Sequence, residues 1–387
     1  VRFLGSSSFN NLGSGSAALT LGPNVLLRND PGGSARIAMG TGGVVRGTVI
    51  ADGQRLDLSG TNWTNEGTLR AANGGTFGVF GLTANAGLID LGADGLLSTS
   101  NANLLNTGTI QGTGTLDLTT DGVNVETLTN RGTLRLGDAP GFLSIDGNVL
   151  LEAGSIVVMN IADRAQGRGV GYDSITVTGT LTPGGTVQIN HQGGFTPGAS
   201  ELFLLFASGG LSGTASNMTL TGAAGGYALT PAGSQLFVTR GTVGTINAWN
   251  TDGNGTWSVG ANWSLGRAPQ AGDLVFIDRG AANPTVIISS GTQTSGSIIS
   301  YERISMTGGT LNVTGASELR APLAWSGGTI TGPATLSLLA DSNWSRGTLD
   351  GTLRVAQGTT LTGDGTGDGN TGTARALGGG SLVVDGT

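Results

Sequence analysis

Met306-Thr-Gly-Gly309-Thr-Leu-Asn-Val313, Trp325-Ser-Gly-Gly328-Thr-Ile-Thr-Gly332 and Trp344-Ser-Arg-Gly347-Thr-Leu-Asp-Gly351 follow one another at a step of 19 residues. In each, a bulky anchor (Met306, Trp325, Trp344), a glycine (Gly309, Gly328, Gly347) and an aliphatic residue (Leu311, Ile330, Leu349) hold the same offset. A period near 20 belongs to a solenoid, in which each repeat is one supersecondary unit that buries its apolar face only against its neighbours. Threonine alternates with leucine or isoleucine after each glycine, as outward and inward positions do along a strand. Parallel stacking then puts Met306, Trp325 and Trp344 in one column and Leu311, Ile330 and Leu349 in another, inside.

The rhythm extends outward from this stretch. Asn65-Glu-Gly-Thr-Leu69, Asn106-Thr-Gly-Thr-Ile110 and Asn130-Arg-Gly-Thr-Leu134 share a pattern, the last two 24 apart and the first two 41, or two coils of about 20. Asn and Gly tolerate the left-handed backbone of a tight corner, and that is the role expected of them here. No sustained 3.6-residue periodicity or capping box argues for a helix. The fold class expected is all-β, a right-handed parallel β-helix (β-solenoid) with coils of about 19–24 residues, in two stacked blocks. Four segments follow: coils over 1–137, longer strands over 138–245, a tryptophan-rich cap or connector over 246–284, and a second run of coils over 285–387. Dividing 387 residues by the period gives about 19 coils.

Composition narrows the function. Glycine is 73 of 387 residues and charged residues are 11%, against about 7% and about 25% in ordinary domains. Disorder goes with high net charge and few β-branched residues; here Val, Ile and Leu alternate with Thr, Ser and Asn throughout, so ordered β structure is expected. All 18 basic residues are arginine, there is no cysteine, and His191 is the one histidine. Disulfides and thiolate metal sites are excluded. A net charge of −7 argues against nucleic acid, which calls for a basic stripe, and gives no grip on anionic lipid. No apolar run approaches the roughly 18 residues that span a bilayer, so no membrane insertion is expected in this segment. The chain starts at Val1 without a signal peptide, which reads as processing, trimming or a longer parent.

Pro140-Gly-Phe-Leu-Ser-Ile-Asp-Gly147, Tyr172-Asp-Ser-Ile-Thr-Val-Thr-Gly179, Leu181 to Ile189, Gly194-Phe-Thr-Pro197 and Leu202 to Gly213 together resemble the stretch that closes the β-helix of bacterial autotransporter passengers and assists its folding. Asn262-Trp-Ser to Phe276 is similar to the opening of coil runs in filamentous-haemagglutinin-like surface proteins. The resemblance covers about two thirds of the chain. It implies a β-helix exported to the cell surface or beyond; passengers of this kind carry adhesins, proteases and structural stalks alike, so it implies no single activity. The chain departs from the pattern in two ways: no membrane β-barrel follows, and the closing-type stretch sits mid-chain with more coils after it.

Candidate site residues are few. His191 ends a strand with no second His, Cys or Lys to pair with and no Gly-x-Ser-x-Gly elbow, and reads as a surface-loop histidine. Polysaccharide-degrading β-helices need paired carboxylates; Asp90, Asp94, Asp117 and Asp121 in one block and Asp273 and Asp278 in another are scattered, with Asp94 and Asp117 one coil apart. Asp364, Asp368 and Asn370 offer oxygen ligands to Ca²⁺ but match neither the EF-hand nor the nonapeptide motif. Trp249, Trp257 and Trp263 form either the cover of a first coil or a sugar-stacking platform. Sequons at Asn62, Asn217, Asn254, Asn262, Asn312 and Asn343 arise readily in a chain so rich in Asn, Ser and Thr. Val1-Arg-Phe-Leu4 and Ser381-Leu-Val-Val-Asp385 read as uncapped strands, which predicts end-to-end partners: other copies or further repeats. The expected function is a non-enzymatic extracellular structural or adhesive β-solenoid of a bacterial surface or secreted protein, without cofactors. A glycan-binding adhesin module and a polysaccharide lyase or hydrolase are the alternatives.

Overall fold

A computed structural model describes residues 2–3, 10–13, 16–29, 33–119, 126–223, 225–363 and 375–385. The chain is a β-solenoid of about 16 turns, with parallel sheets and coils stacked about 21 residues apart. The turns are fewer than length alone suggests because some coils carry long loops. The register step is 20 residues from Asn65 to Asn85, 29 from Asp117 to Asp146 and 33 from Thr186 to Thr219. Two compact units make up the chain, one of residues 1–164 and 168–240, the other of residues 165–167 and 241–387.

In the first unit, strands of successive coils pair in parallel and line up like with like. Leu27, Val49, Leu69, Ile89, Ile110, Leu134, Val157 and Val187 form one continuous inward column, all of them buried. A residue that alternates inward on one strand must do so on the next, because in-register parallel pairing preserves the pleat. Burying each such side chain contributes roughly 1.5–3 kcal/mol. After Ser174–Thr182 and Gly185–His191 the pattern changes. Glu201–Leu211 pairs in parallel with Ser174–Thr182 on one side and antiparallel with Gln235–Arg240 on the other, and Gln235–Arg240 pairs antiparallel with Tyr227–Ala232. A hairpin folded back on the sheet replaces the next parallel coil, so residues 138–240 both continue the stack and end one of its edges.

In the second unit the coils after the first have three strand segments. Thr285–Ile288, Thr292–Ser295 and Ser297–Ser300 make one turn and pair with the three segments of the next, within Arg303–Val313 and at Ser317–Leu319. Met306 pairs with Trp325 and Trp325 with Trp344; Leu311, Ile330 and Leu349 align likewise, all in parallel. The Trp325 and Trp344 rings stack with centroids 4.5 Å apart and planes at 5°. Gly328, at φ +84°, makes the corner between the two columns; a Cβ there would lie 2.4 Å from the Gly309 carbonyl oxygen, so both the left-handed backbone and the close approach require glycine.

Candidate functional site

In the first unit a row of buried asparagines bonds from each coil to the next. Asn65, Asn85, Asn106 and Asn130 are buried inside the first unit. Asn65 Nδ2 donates to Asn85 Oδ1 at 2.6 Å, Asn85 Nδ2 to Asn106 Oδ1 at 2.7 Å, and Asn106 Nδ2 to Asn130 Oδ1 at 2.6 Å. Each Nδ2 also donates to the carbonyl of the glycine two residues on, Gly67, Gly87, Gly108 or Gly132. The ladder stops where the register brings Val45 beneath Asn65 and Leu151 above Asn130. This corrects the corner role expected of these asparagines: none of the four has positive φ, and they point inward. The glycine of the motif is needed for packing, since a Cβ on Gly87 or Gly108 would lie 2.1 Å from the carbonyl oxygen of Gly67 or Gly87. Asn85-Ala-Gly-Leu-Ile89 is the coil absent from the sequence pattern; Leu88 replaces its threonine. One residue on, Arg46 pairs with Glu66 at 2.8 Å and Arg131 with Glu152 at 2.6 Å, each across one coil.

His191 is no free loop residue. Half-buried at the end of Gly185–His191, it lies 3.2 Å from Tyr227 Oη through Nε2 and meets the Phe195 ring edge-on at 5.2 Å. Phe203 lies between Phe195, Tyr172 and Tyr227. Glu201, nearly buried, accepts from the Gly198 N–H at 2.5 Å and faces Arg164 Nε at 3.9 Å. Burial, with the Glu201 charge, pushes the Tyr227 phenol up to about 12, against the pull of Arg240, so it stays protonated at neutral pH. These contacts fasten the closing hairpin to the last parallel coil. Asp173, the second residue of the Tyr172–Gly179 stretch, is fully buried and is not among the candidate site residues of the sequence: its Oδ1 accepts from the Gly141 N–H at 2.7 Å and its Oδ2 from the Asn160 N–H at 2.8 Å. Burial pushes its carboxyl up to about 7 despite those two donors.

Asp94 and Asp117, one coil apart in sequence, do not come into register. Asp94 occupies an exposed left-handed turn, whereas Asp117 aligns with Ser98 on one side and Asp146 on the other. Asp90 pairs with Arg70 at 3.3 Å. Asp273 is held by both guanidinium nitrogens of Arg267, at 2.6 and 2.9 Å, and by the Gln270 N–H; burial alone would raise its carboxyl, and these partners hold it below the usual range. Asp278 is buried and caps the Gly280 N–H. Asp121, Asp364, Asp368 and Asn370 lie outside the described residues.

Trp249, Trp257 and Trp263 are at most 1% exposed, so no indole face is available to a sugar. Trp263 meets Trp249 and Trp257 edge-on at 5.0 Å each, and its Nε1 donates to the Trp257 carbonyl at 2.7 Å. They fill the first coil of the second unit. Among the sequons, Asn62 and Asn217 are exposed, while Asn254 accepts from the Thr285 N–H and Asn262 donates to the Thr256 carbonyl. Asn312 and Asn343 are half-exposed on outward strand positions. Among the described residues no helix is long and apolar enough to cross a membrane.

What the stacking defines is a β-solenoid, a class set by architecture rather than by any chemistry. No family model matches the chain, and neither the curated proteins nor the solved structures contain a match. The likeness to autotransporter passengers therefore rests on the motifs quoted above.

Proposed function

We propose that this chain is a non-enzymatic, extracellular structural or adhesive β-solenoid of a bacterial surface or secreted protein. The observation that carries the proposal is where the polar groups go: the asparagine ladder and the pairs Arg46–Glu66, Arg70–Asp90 and Arg131–Glu152 all join one coil to the next. Side chains committed to coil-to-coil bonding stiffen a stack and leave little to converge on a substrate. Assembly with other coils belongs to the same proposal. Leu382 and Val384 continue the buried columns of Leu353 and Val355 yet are 40% and 61% exposed, a surface that a further parallel coil fits, whether of another copy or of more solenoid.

Electron microscopy of the purified protein tests this directly. Elongated particles, alone or end to end, are expected. Compact particles, or polysaccharide turnover abolished by Asp117→Asn, would overturn the proposal.

A further inference from the structure

One face of the second unit differs from every charged rank of the first. Thr292, Thr310, Thr329 and Thr348 align across four coils, and two residues along each strand Thr294, Asn312, Thr331 and Asp350 align beside them. Gln293, Leu311, Ile330 and Leu349 between them are buried, so both ranks point outward. Adjacent positions stand about 4.8 Å apart across coils and about 6.6 Å apart along the strand. The first three coils of this array carry no charge. In the first unit the corresponding outward rank runs Ile50, Arg70, Asp90 and Gln111, with Arg70 and Asp90 paired.

Apart from Asp350, which accepts from the Gly379 N–H at 3.0 Å, the polar groups of this array are also unspent. Thr292, Thr294, Thr310, Asn312, Thr329 and Thr348 make no side-chain hydrogen bond among the described residues, and Thr331 makes only long contacts, at 3.5 Å, with Asp350. Glycines border the ranks: Gly309, Gly328 and Gly347 on one side, Gly332 and Gly351 on the other. A Cβ on Gly328 or Gly332 would lie 2.4 or 2.1 Å from backbone oxygen of the coil before, so the borders stay bare of side chains. Hydroxyl and amide groups at a fixed repeat, on a strip uncharged over three coils and bordered by glycine, complement a partner that is itself uncharged, extended and hydroxylated.

We propose that this strip is a binding face for an ordered, uncharged polysaccharide. The inference rests on the adhesive part of the function proposed above and names its target class. Co-sedimentation of the full chain with microcrystalline cellulose and with chitin tests it. Retention on at least one is expected, falling about tenfold or more in the double variant Thr329→Glu, Thr331→Glu, and also falling in Thr329→Val, Thr331→Val, which keeps the shape and removes two hydroxyls. Thr133→Glu, on an outward rank of the first unit, should leave retention unchanged. Should the glutamate variant fail to fold, the valine variant decides. No retention of the unaltered protein on either polymer, equal retention of the valine variant, or an equal loss in Thr133→Glu overturns the inference. Elongated particles in the microscope together with no retention would remove this inference and leave the scaffold standing.

Discussion

Asn106 accepts from Asn85, donates to Asn130 and donates again to the Gly108 carbonyl, so its amide is used in both directions. Replacing it by alanine strands two buried amides, each costing about 1–3 kcal/mol. We expect Asn106→Ala to lower stability by about 3 kcal/mol in urea denaturation; a loss within about 0.5 kcal/mol would show that the ladder contributes nothing. Asp173 and Asp273 give pH dependences of opposite sign. Asp173 holds its proton more tightly folded than unfolded, so its contribution is full below the ordinary carboxylate pKa and is lost as pH rises toward about 7, by up to about 1.4 kcal/mol per pH unit. Asp273 is depressed, so its contribution is full above the ordinary value and is lost as pH falls through its folded pKa. Denaturation midpoints at pH 5 and 8 should differ less in Asp173→Asn than in the unaltered protein, and Asp273→Asn should flatten the acid limb.

At the scale of the coil, glycine sets how closely neighbours stack. Gly87→Ala would place a Cβ 2.1 Å from Gly67 oxygen without any change of φ region, so its cost is separation of two coils. We expect a loss above about 3 kcal/mol, beyond the usual range for overpacking; a melting temperature within a degree of the original would contradict it. Gly347→Ala should add backbone strain, since Gly347 stands at φ +118°, and should also press its Cβ on Trp325 Nε1 at 2.5 Å, so a change in indole fluorescence should accompany the loss of stability. The 19-residue step, the Met306–Trp325–Trp344 column and the Leu311–Ile330–Leu349 column were legible in the sequence because parallel stacking repeats side-chain chemistry at the coil period. The asparagine ladder was half legible. Its period could be read from Asn65, Asn106 and Asn130, but its direction could not, since corner asparagine and ladder asparagine look alike in a sequence.

At the scale of the molecule, each unit has its own core, one running from Leu21 to Val238 and the other from Trp249 to Val355. Ile330→Asp buries a charge without a partner, and the damage should spread through the second unit, since each of its coils is completed only by its neighbours. Hydrogen exchange should quicken from residue 303 to 355, with little change at Ile89 or Leu134. Uniform quickening across both cores would refute the independence of the two.

Period, strand alternation and the all-β class were determined by the sequence alone, because a stack of like coils must repeat its buried residues. The lack of lysine and cysteine likewise narrowed the possible chemistry through composition alone. Register between distant segments was decided only in three dimensions: Ser98, not Asp94, comes to lie beside Asp117 on the preceding coil, and burial turned three tryptophans that could have met a sugar into the filling of a coil. The physical reason is the same in both directions. Local pattern encodes which way a side chain points along its own strand, while the length of the intervening loop, which carries no such pattern, sets what it comes to lie against.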